Sequence, residues 1–295
     1  MQHTMENEFL IVTADTFGAE LVSVVDKATG AQLLWQADPA VWGRHAPILF
    51  PYCGRLKDGC YRLDGQQFTG GQHGFARDME HDFRPSEPGS LCFVLESSQQ
   101  TLQKLPRAFR FTTRYILEGR TVRHQVTVQN LDAKPLRFGL GYHPAFALPF
   151  DDQHTTQDYE LRFDAPQTPV VIETGADTGL VTGETRVLME QQAAIALEDR
   201  MFDNDSICMS QLNAKSLSLV EKDTGRCITV GLEGFPYTLI WSAAGQAQLQ
   251  FVCIEPWHSL PDTTTANGDW LQKPCAAQLE AGQSWTTHLD MTFNR

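Results

Sequence analysis

The sequence predicts an all-β fold: one large, mostly antiparallel sandwich with few short helices. Three observations carry this. Apolar and polar residues alternate with a period of two along much of the chain, turn pairs containing glycine punctuate the alternation, and no segment sustains an apolar stripe at helical spacing over three turns.

The clearest element is a hairpin. Phe109, Phe111, Tyr115 and Leu117 fall on one face of a strand, with Arg110, Thr112 and Arg114 on the other. Glu118-Gly119-Arg120 supplies the turn, and Val122, Val126 and Val128 then alternate with Arg123, Gln125, Thr127 and Gln129. His124 lies on the apolar side and reads as a hydrogen-bonded core histidine. Asp64-Gly65 suits a two-residue turn needing positive φ between Tyr61–Leu63 and Gln66–Phe68. Thr29-Gly30 and Thr224-Gly225 occupy similar positions. Trp285, Thr287, Leu289, Met291 and Phe293 alternate as a closing strand. Glu190–Leu197 and Thr101–Leu105 read as short helices, and Gln153–Asp158 and Glu173–Thr185 as long surface loops. With no repeat, low-complexity tract or linker, residues 1–295 read as a single domain. So many strands would overfill a small barrel, which favours a sandwich.

A net charge of -13 argues against nucleic-acid and anionic-membrane partners, both of which need a basic face. No stretch approaches a transmembrane span and Met1–Asn7 is polar, so the expected location is the cytoplasm. The cysteines (53, 60, 92, 208, 227, 253 and 275) are odd in number and scattered, which reads as reduced thiols rather than a disulfide framework or zinc ribbon.

Several motifs fall away on inspection. Gly139-Leu140-Gly141 opens like a dinucleotide loop, but Pro144 stands where the third glycine belongs. There is no nucleophile elbow, H-E-x-x-H pair or P-loop, and the histidine spacings disclose no ligand set, so neither metal nor cofactor is expected.

What remains is a series of polar residues set in apolar or Gly/Pro-rich surroundings. His73, in Gln72–Asp78, reads equally as a cleft histidine or a turn histidine. His143, in Gly141–Phe146, ends a strand-like run and is the side-chain type best suited to proton transfer near neutrality, although a structural histidine would look the same. Glu255 closes the apolar run Phe251–Ile254 and precedes Pro256 and Trp257. A carboxylate there is partly desolvated, which raises its pKa toward a base's working range, whereas a solvated strand end would leave it ordinary. Trp257 offers an aromatic wall for the C–H faces of a sugar ring. The acidic Asp203–Asp205 cluster is ordinarily a solvated turn, and Arg55 is ambiguous alone.

Together these stretches resemble the aldose 1-epimerase superfamily, more closely its LacX-like branch. The matching blocks are Ala46–Pro51 with Gly54-Arg55-Leu56, Gln72–Asp78, Gly141–Phe146, Phe235-Pro236 with Ile240-Trp241, and Ile254–Trp257 with Asp262. They run in order over nearly the whole chain. The resemblance implies a galactose mutarotase-like β-sandwich (a supersandwich) curving around an open carbohydrate cleft. It implies His143 as catalytic acid, Glu255 as catalytic base, and Arg55, His73 and Asp205 (or Asp203) as sugar-binding residues, without cofactor or metal. Two departures concern the substrate: Gly54 replaces the asparagine of the galactose branch, and His258 stands where small residues often follow Glu-Pro-Trp.

The implied reaction interconverts the α and β anomers of a free aldose. Glu255 takes the C1 hydroxyl proton, protonated His143 gives one to the ring oxygen, and the open aldehyde recloses from its other face. The partner is a small sugar, and the chain is expected to be a monomer or homodimer. Other readings are a non-catalytic sugar-binding or regulatory protein, a glycoside hydrolase using Glu255 with Asp205 or Asp262, and, because Arg44, Arg55, Lys57 and Arg77 cluster around the first motifs, an epimerase of phosphorylated sugars.

Overall fold

The computed structural model describes residues 1–274 and 277–294, so Cys275 lies outside the described residues. Two large sheets dominate, one of nine strands and one of eight, accompanied by a three-stranded and two two-stranded sheets. The strand ladders are antiparallel, as alternation predicts. A common core unites the large sheets: Phe111 and Val128 from one share a cluster with Met209, Ile240 and Ile254 from the other. Burying each such side chain contributes roughly 1.5–3 kcal/mol.

The expected hairpin is present as Phe109–Glu118 paired with Thr121–Asn130, with Glu118 opposite Thr121 across a two-residue turn. Cys60–Leu63 and Gln66–Thr69 form the tight hairpin, and Asp64 and Gly65 both take positive φ, as a type I′ turn demands. Ser284–Asn294 is the closing strand and lies between Thr121–Asn130 and Cys227–Gly231.

Three expectations are corrected. Glu190–Leu197 is not helical: Gln192–Ala196 is an edge strand paired with Tyr159–Gln167. Its Ala- and Gln-rich sequence favours helix, and tertiary pairing overrides that weak preference. Glu173–Thr185 is not a long loop but most of a hairpin, Val170–Thr174 with Val181–Val187, joined by a turn over 175–180. Its polarity reflects an exposed strand: in Val181–Val187 only the first residue is buried. His124 is in the core but is held by rings. It sits against Tyr115 and Tyr142, with centroids at 4.4 and 4.8 Å, and its Nε2 has no hydrogen-bond partner. Burial pushes its pKa down to about 3, so the ring is neutral.

The helix expected at Thr101–Leu105 is a single turn, Gln99–Leu102, closed by a capping box from Ser98. No helix among the described residues is long and apolar enough to cross a membrane.

Candidate active site

The strand Phe251–Trp257 is buried along its whole length in the eight-stranded sheet. Alternation divides its side chains between two environments. Val252 and Ile254 join the main core, whereas Phe251, Cys253 and Trp257 belong to smaller clusters on the opposite face. Glu255 shares that second face, which lines a cleft of about 440 Å³.

His143 is placed by the same strand. Gly141 pairs with Trp257 and Ala145 with Cys253, and this unshifted register sets His143 directly opposite Glu255. Pro144 lacks an N–H and interrupts the ladder here, leaving His143 between the short strands Gly141–Tyr142 and Ala145–Ala147. His143 Nε2 lies 3.3 Å from Glu255 Oε2, with the residues 7% and 2% exposed.

Burial governs the charge of this pair. It raises the Glu255 pKa well above the usual carboxylate range, and negative Asp205 adds to the rise, while the Trp257 indole acts in the other direction. Burial also pushes His143 down to about 3, with the Arg77 charge contributing. Both effects oppose an ion pair and favour one shared proton residing on Glu255. The carboxylate expected from sequence to be partly desolvated is buried, and burial disfavours the protonated His143 of the resemblance.

His73 stands nearby, its ring centroid 5.7 Å from that of His143 and 5.5 Å from that of Trp257. Its Nδ1 accepts the Gly54 N–H at 3.0 Å, so the neutral ring presents Nε2–H as a donor. Burial and the charges of Arg77, His143, Arg44 and Arg55 hold its pKa well below normal. Two glycines make this corner possible. Gly54 has φ +69°, and a Cβ there would meet Pro261 at 2.2 Å; Gly74 has φ +74°, and a Cβ would meet the Phe50 carbonyl oxygen at 2.1 Å.

Arg55 and Asp205 line the cleft from more exposed positions. Neither has an ionic partner among the described residues. Asp203 is instead tied to Arg200 at 2.7 Å. Asp262 is withdrawn from the cleft: it is buried in an ion pair with Lys273, and its Oδ2 accepts the Lys57 N–H at 3.0 Å. Its backbone N–H donates to the Arg55 carbonyl at 2.9 Å, fastening the segment that carries Arg55. Lys57 donates its ammonium to the Ala266 carbonyl and is absent from the cleft lining. His258 lies away from the cleft, against Phe235 and Trp285.

Sequence reasoning missed an aromatic enclosure. Trp42 stacks on His143 with centroids 5.0 Å apart, and Trp241 meets the same ring edge-on at 5.7 Å. Trp42 comes from a segment that reads only as irregular chain. It also missed that Cys253, two residues before Glu255 and therefore on the same face, brings its sulfur within 4.8 Å of ligand atoms of His143 and Glu255. The spacing of a histidine on one strand and a Cys-x-Glu on another gives no sequence sign of that proximity.

A buried histidine–carboxylate pair therefore lines a polar cleft with aromatic walls on a large β-sandwich. The chain belongs to the aldose 1-epimerase family, whose model matches residues 1–278. It is 31% identical over 275 residues to the chromosomal LacX protein of Lactococcus lactis, covering 91% of each chain. A galactose mutarotase-related enzyme from Lactobacillus acidophilus has a similar structure, with TM-score 0.94 and 31% identity over 100% of this chain and 98% of that one. A galactose mutarotase-like protein from Lactobacillus casei has TM-score 0.92 and 28% identity over 100% of both chains.

Proposed function

We propose that this chain is an aldose 1-epimerase that equilibrates the α and β anomers of an aldose through His143 and Glu255. The 3.3 Å contact between these two buried side chains carries the reading. Ring opening needs one proton removed from the C1 hydroxyl and one delivered to the ring oxygen, and a pair holding a single proton performs both transfers without net change.

Opening by a Glu255 base starts from the tautomer with the proton on His143, which burial by itself disfavours. Sugar hydroxyls supply polar partners that favour the ionised tautomer, and the Nε2–Oε2 contact is the path along which the proton crosses. Glu255 then accepts the O1 proton while His143 protonates the ring oxygen. The products of this step are the open-chain aldehyde, protonated Glu255 and neutral His143. Rotation about C1–C2 and reversal of the transfers gives the other anomer. His73 Nε2–H, Arg55 and Asp205 hold hydroxyls, and positioning contributes a further large factor. Trp42, Trp241 and Trp257 provide apolar walls.

The test is anomer exchange. Freshly dissolved α-aldoses followed by polarimetry or exchange NMR should equilibrate faster with the wild-type protein. Saturable sugar binding with no acceleration for any aldose would replace this reading by that of a non-catalytic sugar-binding protein.

A further inference from the structure

We infer that the aldose accepted by this cleft carries an anionic group, and that Arg44 and Arg77 form its subsite. The inference rests on the epimerase reading and deepens it. Three arginines (44, 55 and 77) line the cleft of a chain with net charge -13, while the carboxylates lining it are Asp205 and Glu255. Burial disfavours the charged form of Glu255, which leaves Asp205 as the other carboxylate facing these three arginines in the lining. A neutral sugar is held adequately by amides, hydroxyls and a single Arg–Asp set. Desolvating further guanidinium groups is costly unless an anion meets them.

Arg77 shows the imbalance. Its guanidinium is mostly buried, Nη2 donates to the Gln72 carbonyl at 2.8 Å, and the buried Nε has no hydrogen-bond partner. Arg44 lies beside it, Nη1 donating to the Arg77 carbonyl at 3.5 Å. Asp78 serves both, at 2.6 Å from Arg44 and 3.9 Å from Arg77. Glu20 acts on Arg77 from farther away but is occupied by the His45 and Ala46 N–H groups. Burial and the Arg44 charge pull the Arg77 pKa down to about 10, the sign of a cation short of negative charge.

Location supplies the second argument. The Arg77 charge acts on both His73 and His143. In an aldohexose the exocyclic C6 is attached to C5, the neighbour of the ring oxygen that His143 would protonate. An anion on C6 therefore falls on the side of the ring served by that histidine. A phosphate monoester and a uronate carboxylate both present such an anion, and the fork geometry of arginine suits either.

Exchange NMR on a hexose 6-phosphate, a hexuronate and the unsubstituted hexose tests the inference with the wild-type protein. The expected result is a kcat/KM for one anionic sugar about tenfold or more above that of the neutral one, with inorganic phosphate competing. A faster 6-phosphate identifies the anion as a phosphate, a faster uronate as a carboxylate. Arg44→Gln and Arg77→Gln should each lower the anionic-to-neutral ratio about tenfold, and Arg44→Lys should restore part of it. Equal rates for neutral and anionic sugars, with no effect of phosphate, would overturn the subsite. If no sugar is exchanged, the epimerase reading fails, and calorimetry still decides on the subsite. Binding of the 6-phosphate or uronate that Arg44→Gln weakens supports it, and absence of binding overturns it. Should Arg77→Gln not fold, phosphate competition on the wild type and Arg44→Gln carry the test.

Discussion

His143 and Glu255 are cross-strand partners in a ladder whose hydrogen bonding Pro144 interrupts, and their side chains meet at 3.3 Å. Because they act as a unit on one proton, their losses should not add. His143→Asn and Glu255→Gln should each lower kcat about 10²–10⁴-fold, and the double variant should fall little further. Multiplicative losses in the double variant, measured by polarimetry, would show that the two groups work independently.

The rate should hold a broad plateau across neutral pH. Activity needs one proton on the pair. The acid limb reports protonation of His143, whose pKa burial pushes down to about 3, and the alkaline limb reports ionisation of Glu255, whose pKa is raised. The acid limb of kcat/KM, which reports the free protein, therefore lies well below 6.5; a midpoint between 6 and 7 contradicts the burial argument. Stability follows the same shift. A raised carboxyl contributes fully below its unfolded value of 4.5 and ceases to as pH rises through its folded one. Glu255→Gln should be at least as stable as wild type at pH 8 by thermal melting.

His154 clamps the segment after Phe150 to the turn that follows Glu221. Its Nδ1 is 2.7 Å from Asp151 and 3.5 Å from Glu221, and its Nε2 is 3.3 Å from Asp223, while Arg226 pairs with Asp151 and Glu221. The hydrogen bonds that its ring donates to Asp151 and Asp223 raise its pKa to about 9. Its contribution is complete below 6.5 and disappears as pH rises through 9. Melting temperature should fall over that interval in wild type, and the slope should flatten in His154→Asn.

Asp262→Ala strands the buried Lys273 ammonium and should cost about 3–5 kcal/mol in urea unfolding. It also removes the side-chain acceptor of the Lys57 N–H, two residues after Arg55, so KM for the sugar should rise. Asp262→Leu combined with Lys273→Met should recover most of the stability but not the KM. Recovery of both would separate Asp262 from the cleft.

Gly54→Ala forces a side chain into the left-handed region and onto Pro261. A loss of about 1–3 kcal/mol is expected from the backbone alone. Because the Gly54 N–H fixes the His73 tautomer, the weakened variant should also bind sugar less well. Unchanged melting and KM would mean that the loop relaxes freely.

Much of the fold was legible because alternation and turn chemistry are local. The Phe109–Asn130 hairpin and the Asp64-Gly65 turn needed only neighbouring residues to be read. Gln192–Ala196 was misread because its pairing partner, which decides its conformation, lies some thirty residues away. The placement of His143, Glu255 and His73 in one cleft was legible only through resemblance, since a register between distant strands leaves no trace in spacing. Trp42 was not legible at all: its role depends on which ring its irregular segment happens to cover. Exposure misled as well. The polar run Glu173–Thr185 reads as a loop because an edge strand with little buried surface has little reason to alternate.

That hairpin has a consequence for how this protein could be remade. Thr174, Ala176, Gly179 and Val181 form one wall of the cleft, and the 175–180 turn is closed by its own hydrogen bonds, Gly175 N–H to the Leu180 carbonyl and Gly179 N–H to the Gly175 carbonyl. Glu255 sits on a buried interior strand, where a slip of one residue would turn it into the core. The wall sits near a sheet margin and can be exchanged as a cassette. Libraries confined to 175–180 should retune which sugars fit while leaving the central ladder, and the chemistry mounted on it, intact.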